Sequence, residues 1–343
     1  MGIKTAILGA TGAVGQEFLK LLEERDFPCE SLKVLASARS AGKTVTFRGQ
    51  TTTIEEARPE AFDGVELVLS SAGGSVSKAL VPEAVKRGCV VVDNTSAFRM
   101  DAGVPLVVPE VNRHAIREHQ GIIANPNCST IIMVVPLKPL HSRWGVKRVI
   151  ASTYQAVSGA GQKGISELEQ QVADLAAGRE PKVALFPKQI AYNAIPRIPQ
   201  RGGLCDGGYL EEEVKMIRET KKIFGDDSIQ VTATCVRVPI IRCHSESINV
   251  ELAEPFRVEE IREALAAAEG VTVQDDVAND VYPVPLEVSN QDDVFVGRIR
   301  VDNTNPQALN LWICGDQIRK GAALNAVQIA EDLVKMGMLA VKA

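Results

Sequence analysis

Seven cysteines and four histidines supply this chain's candidates for a nucleophile and a proton carrier. The cysteines stand at 29, 89, 128, 205, 235, 243 and 314, an odd number, widely spread and without a C-x-x-C pair. That pattern points away from a disulfide framework and a zinc knuckle, and no metal is expected. A free thiol is ordinarily a small apolar core residue. Cys89, Cys235 and Cys314 lie in strand-like apolar runs, and Cys29 and Cys205 read as loop residues. Cys128 differs: it sits in Asn125-Pro126-Asn127-Cys128-Ser129-Thr130, after a short strand-like run and before an apolar helix over 131–140. Asn127 is a favourable N-cap, which sets Cys128 in the first helical turn. There the helix dipole and the free backbone amides favour a thiolate and can hold an oxyanion.

A thiolate nucleophile needs a proton carrier. His114 and His119 are five apart, about 140° round a helix, and share no face. Both read as surface residues, and His141 reads as a polar helix end. His244 stands where a strand run breaks into polar residues, Arg242-Cys243-His244-Ser245-Glu246, and is the best candidate. Cys243 adjoins it, but neighbours on an extended chain face opposite ways and form no dyad. Arg237 offers a guanidinium fork, which fits a carboxylate at two points. A surface ion pair is the competing reading for it.

Gly9-Ala10-Thr11-Gly12-Ala13-Val14-Gly15 follows the first apolar run and opens a helical pattern. Glycines there permit the tight turn and let a pyrophosphate reach the amides at the positive end of the helix. An NAD site usually places an acid at the end of the second strand. This chain has Ser37, Arg39, Ser40 and Lys43 there and no acid, which favours the phosphorylated ribose of NADP. A thiolate near a dinucleotide site points to acyl transfer coupled to hydride transfer.

The elements that must position these groups fall into two textures. Apolar runs at 4–8, 32–36, 65–69 and 89–92 alternate with helical patterns at Ala13–Glu24 and 76–86, the signature of a doubly wound parallel sheet. From about residue 147 strands lie closer together, at 147–155, 229–238, 246–252, 294–301 and 309–314, which fits an α+β domain with a mixed sheet. Helices are expected at 161–177, 211–223 and 258–268, a loop at 192–208, and a closing helix at 316–336. A length of 343 residues fits two domains. Net charge of −5 without a basic block argues against nucleic acid or an anionic membrane as partner. No apolar run approaches a membrane span, and the opening residues show no leader with a cleavage site, so the reading is a soluble cytoplasmic protein.

Six segments, GATGAVG at 9, NTSAFRM at 94, NPNCST at 125, YQAVSGAG at 154, VRVPIIRCHSES at 236 and GDQIRKGAALNAVQIAE at 315, together resemble the aspartate-β-semialdehyde dehydrogenase family, in its order and across nearly the whole chain. The resemblance implies NADPH-dependent reductive dephosphorylation of L-4-aspartyl phosphate to L-aspartate 4-semialdehyde, toward lysine, methionine, threonine and diaminopimelate. It implies that Cys128 forms the thioester, Gln155 orients it and His244 is the acid/base. Arg237 then binds the α-carboxylate, Arg99 and Lys215 the phosphate, and Glu212 the amine. Without the resemblance, residues 211–222 read as a solvated charged helix. Gly9, Thr11, Gly12, Ala13, Val14, Gly15, Ser37, Arg39 and Ser40 match cofactor positions, as do Ser71, Ala72, Gly73, Ser158, Gly159 and Gln317. The implied architecture is a Rossmann-like NADP domain (1–127 with 317–343) and a catalytic and dimerisation domain (128–316), paired as a homodimer or tetramer. Two other readings stand beside it: a reductase of N-acetylglutamyl phosphate, whose acylated amine would leave Glu212 without purpose, and a catalytically silent NADP-binding relative.

Overall fold

Residues 2–339 are described by the structure, a computed structural model. The chain divides into two compact units, one holding the N-terminal residues through Asn127 with the chain from Ala322 onward, the other Cys128–Gly321. Residues 317–321, read from the sequence as part of the cofactor domain, therefore belong to the second unit.

The first unit is a seven-stranded sheet of β1 (Ile3–Leu8), β2 (Cys29–Ala36), β3 (Thr44–Phe47), β4 (Gln50–Glu56), β5 (Leu67–Ser70), β6 (Val90–Asp93) and β7 (Ile122–Ala124). Their order is β3-β4-β2-β1-β5-β6-β7. All pairs are parallel except β3 with β4. Buried on both faces, these strands are the short Val/Ile/Leu runs that a covered parallel sheet requires. Helices Ala13–Glu24 and Leu324–Lys335 cover one face, with Phe18, Leu22, Val327 and Leu333 packed on Ile3 and Ile7. Helix Gly74–Lys86 covers the other through Val81 and Ala84, against Ala6 and Val68. The sequence reading passed over the β3–β4 hairpin. Its signal is an alternating threonine run turned by Arg48-Gly49, both at positive φ (49° and 73°), as a two-residue hairpin turn demands.

The second unit is a six-stranded mixed sheet of β8 (Val146–Gln155), β9 (Gln230–Arg237), β10 (His244–Leu252), β11 (Val271–Val273), β12 (Val294–Asp302) and β13 (Asn305–Gly315). Its order is β11-β12-β13-β10-β8-β9, with β8–β9 and β11–β12 parallel and the rest antiparallel. Helix Cys128–Trp144 lies on one face. It is apolar all round, as a helix buried on every side must be, with Ser129 through Leu137 buried without a break.

The closing helix is shorter than its pattern implied. A π-helical turn spans Arg319–Ala323, and the α-helix runs only over Leu324–Lys335. The reason is Asp316: its fully buried carboxylate accepts the Ile318 and Arg319 amides, both at 3.0 Å, and these bonds fix a cap in place of a helical turn.

One core residue conflicts with its surroundings. Glu246, in register between Thr153 and Ile313, is fully buried, and neither carboxylate oxygen has a hydrogen-bond partner among the described residues. Burial drives its pKa well above the usual carboxylate value, so the folded chain keeps this acid protonated. A raised folded pKa gives stability that is full below the unfolded value near 4.5 and declines as pH rises toward the folded one. Glu246→Gln should therefore raise the urea midpoint at pH 8 and lose that advantage near pH 4.5. Midpoints that differ equally at both pH values would contradict a neutral Glu246.

Candidate active site

Parallel pairing of β8 with β9 sets Gln155 opposite Arg237, and antiparallel pairing of β10 with β8 brings His244 to the same edge of the sheet. Side chains alternate along each strand, so all three lie on the face covered by the Cys128 helix. They are 1%, 3% and 1% exposed, respectively, and all belong to the second unit.

The helix begins at Cys128 itself, and Cys128 is half-buried. Gly321 lies against it: a Cβ there would stand 3.0 Å from the Cys128 Cβ. The sequence reading did not single out Gly321, because only the tertiary fold brings it to the thiol. Gln155 Nε2 donates to Ser129 Oγ at 2.6 Å and to Glu212 Oε1 at 3.2 Å, and its Oε1 has no partner among the described residues.

Arg237 is a buried cation. Its Nη1 donates to the Ala156 carbonyl, while its Nε–H, also buried, has no hydrogen-bond partner among the described residues. An unpaired buried donor costs roughly 1–3 kcal/mol, and the cost is relieved when an anionic acceptor arrives. Glu212 and Cys128 are the groups whose negative charge acts on it, while burial lowers its pKa. The solvated-helix reading of residues 211–222 is therefore corrected. Helix Glu211–Phe224 buries Glu212, Met216, Glu219 and Ile223 along one stripe, a helical period the charged composition had masked. Glu213 anchors it to β9, accepting the Leu210 amide at 2.7 Å and the Cys235 amide at 3.1 Å. Lys215 stands 3.0 Å from Glu211 and 3.5 Å from Glu212.

His244 Nδ1 accepts the Ala156 amide at 3.0 Å, which leaves the ring proton on Nε2. Burial foremost, then Arg237, holds its pKa well below 6.5, so the ring is neutral at physiological pH. Gly159 keeps the space in front open: a Cβ there would come 2.8 Å from Arg237 Nη1 and 3.4 Å from His244 Nε2. Behind the ring, Gln317 Oε1 accepts the Cys243 amide at 2.8 Å, and Gln317 Nε2 donates to Ser158 Oγ, which donates to the Ile241 carbonyl. Asp316 accepts from Arg242 Nε at 2.5 Å. Two of the residues matched to cofactor positions, Ser158 and Gln317, thus hold the segment that carries His244. Of the other histidines, His114 is exposed, while His119 and His141 are partly buried and accept nearby amides. Burial pushes the Cys89 thiol up to about 11 and raises Cys235 further, which keeps both protonated and inert.

The first unit holds the glycine loop. Gly9 has φ +92°, and a Cβ on it would strike Ala72 at 2.8 Å, while one on Gly15 would strike the Gly9 carbonyl at 2.4 Å. Gly9, Thr11, Gly12, Ser37, Ser71 and Ala72 line a groove of about 630 Å³ at the C-terminal ends of β1, β2 and β5. That is where a doubly wound sheet takes a dinucleotide, and the cradle exists only while the glycines lack side chains. Ala13 opens the helix, Val14 packs partly into the core, and Gly73 precedes helix Gly74–Lys86. Arg39 is exposed on the turn Ala38–Ser40, whereas Ser40 is buried in it. Arg99 is buried in this unit, donating from Nε to the Asn125 carbonyl at 2.9 Å and from Nη2 to the Asn94 carbonyl at 3.1 Å. Among the described residues no cluster of His, Cys, Asp and Glu could hold a metal, and no helix is long and apolar enough to cross a membrane.

The His244 assignment has a direct check. In an NMR titration of the ring nitrogens, His244 should remain neutral and protonated on Nε2 from pH 8 down to pH 6. Arg237→Met should move its pKa upward, because a nearby cation is lost. Titration of the wild-type ring near 6.5 would refute the assignment.

Comparison with known proteins agrees with this geometry. Residues 4–119 match the semialdehyde dehydrogenase NAD binding domain, and residues 137–320 match the semialdehyde dehydrogenase dimerisation domain. Aspartate-semialdehyde dehydrogenase of Synechocystis sp. is 52% identical over 98% of this chain and 99% of its own. The crystal structure of aspartate semialdehyde dehydrogenase II from Vibrio cholerae complexed with ASA is 46% identical, with TM-score 0.94 over 98% of this chain and 99% of that one. The Candida albicans enzyme, solved with NADP, is 28% identical, with TM-score 0.76 over 97% and 98%. A nucleophile at a helix start, a buried guanidinium with an open donor and a neutral histidine on one sheet edge thus occur in a chain that belongs to the aspartate-semialdehyde dehydrogenase family.

Proposed function

We propose that this chain converts L-4-aspartyl phosphate to L-aspartate 4-semialdehyde with NADPH, and the reverse, in amino-acid biosynthesis. The observation that carries the reading is the buried Arg237 with its unpaired Nε–H beside Glu212, a cation and an anion matched to an α-carboxylate and an α-ammonium. An N-acetylated substrate would present no charge to Glu212, which favours the aspartyl substrate.

Cys128 attacks the acyl carbon of the mixed anhydride, phosphate leaves, and a thioester forms. Lys215 receives the phosphate. Gln155, tethered to Ser129 and Glu212, directs its amide toward the acyl group. The glycine loop would hold a nicotinamide cofactor, which when bound would supply a hydride. His244 lends its Nε2 proton to the oxygen that becomes negative as carbon is reduced and takes it back as the carbonyl re-forms and the Cys128 thiolate is released. A neutral ring suits that task, since the proton is present at physiological pH without a net charge to desolvate. In the reverse direction the Nε2 proton passes to the aldehyde oxygen as the Cys128 thiolate adds, and it returns to the ring as hydride leaves the thiohemiacetal.

The second unit pairs with its copy through the outer face of its sheet, where Ile150 and Tyr154 remain exposed and Tyr154 lies 5.4 Å from Trp312. Seven free cysteines accord with a reducing, cytoplasmic setting.

The purified protein with L-aspartate semialdehyde, phosphate and NADP⁺ should generate NADPH absorbance. Cys128→Ala should abolish it, and His244→Asn should lower kcat by about 10²–10⁴-fold. Full activity in either variant, or turnover of N-acetylglutamate semialdehyde in place of aspartate semialdehyde, would overturn the assignment. Arg39→Ala should raise KM for NADP⁺ roughly tenfold or more while changing KM for NAD⁺ little. Equal changes would remove Arg39 from the 2′-phosphate site.

A further inference from the structure

Two cysteines outside the mechanism meet directly behind His244. Cys314 lies in β13, in register with Ser245, and Cys243 immediately precedes His244. Both are fully buried and pack together with Val288 against Phe295. Cys243 stands two residues before Ser245, the register partner of Cys314, and the two cysteines belong to one buried cluster. Ser289 donates its hydroxyl to Cys243 Sγ at 3.6 Å, and Ser245 donates its hydroxyl to Cys314 Sγ at 3.5 Å. Cys314 therefore receives the Ser245 hydroxyl as a donor, which favours its thiolate. Of the seven cysteines, these two share a small buried cluster.

The backbone around the pair is tightly tied to the site. Cys243 has φ +75°, a left-handed conformation that a side chain other than glycine adopts at a cost. Its amide is held by Gln317 Oε1, and the next residue holds its imidazole against the Ala156 amide. The cover over the two sulfurs is thin: Ser289 is half-buried, and Asn290 and Gln291 beyond it are exposed.

We propose that Cys243 and Cys314 form a reversible disulfide under peroxide, and that its closure displaces His244. The Cys314 thiolate attacks one peroxide oxygen, the O–O bond breaks, and the departing hydroxide takes a proton to become water. The Cys243 sulfur then attacks the sulfenic sulfur of Cys314, the S–O bond breaks and a second water leaves. One hydrogen peroxide is reduced to two waters, while the two thiols lose two electrons and two protons. Bond formation brings the two sulfurs to about 2.05 Å. That movement falls on a residue already at positive φ and is passed to the next one, His244. The effect on turnover rests on the proton-donor role proposed above; the disulfide itself does not.

The test uses the full chain carrying Cys128→Ala, so that the nucleophile cannot consume the oxidant. After treatment with hydrogen peroxide and alkylation, a non-reducing peptide map should show a peptide joining residues 243 and 314, and two thiols fewer on titration. Dithiothreitol should restore both thiols. The His244 ring signals, identified by their loss in His244→Asn, should shift on oxidation and return on reduction. Cys314→Ser in the same background should give neither the linked peptide nor the shift. Oxidation of other thiols without a 243–314 link would overturn the disulfide. A link that leaves the His244 signals unmoved would overturn the coupling, and neither readout depends on catalytic activity.

Discussion

A guanidinium that is 3% exposed, with one donor left unpaired, is the costliest feature of the second unit, and its neighbours are arranged about it. Glu212 and Cys128 supply the negative charge that makes burial of Arg237 tolerable. The same cation, with burial, keeps His244 neutral, and Gly159 leaves room beside both. The neutral state of His244 and an unpaired donor facing the same space thus follow from one buried charge. Its position comes from strand register, since slipping β9 by one residue would turn Arg237 to the opposite face.

A second constraint acts from behind. The segment before His244 is fastened through Gln317 to the Cys243 amide, through Ser158 to the Ile241 carbonyl, and through Asp316 to Arg242. The bonds that fix Asp316 also stop the closing helix from starting where its hydrophobic pattern begins. One buried carboxylate therefore trades a turn of helix for the placement of the segment before His244. Glu246, on the same strand and face as His244, shows the other way a buried acid can exist: with no partner, it stays protonated.

Much of this was legible in the residues. A thiol after an N-capping asparagine, a glycine loop between strand and helix, and an arginine seven residues before a histidine each carry local chemistry. So do the short apolar strands and their alternation with helices, because a parallel sheet buried on both faces imposes that composition. Less legible were Glu212 and Lys215, whose helix is charged enough to look solvated, and Gly321, whose contact with Cys128 joins residues almost two hundred apart. The β3–β4 hairpin escaped because its threonines alternate with polar as well as apolar residues, which blurs the period of a strand.

The sequence by itself determined which groups exist to do chemistry, and the helix start at one of them, because capping and dipole effects act within a few residues. It also determined the class of each unit, since periodicity is local. Only the tertiary structure decided the ionisation and orientation of those groups. The neutral state of His244, the unpaired donor of Arg237 and the meeting of Cys243 with Cys314 depend on desolvation and on register between distant strands. These are long-range terms, and no local pattern encodes them.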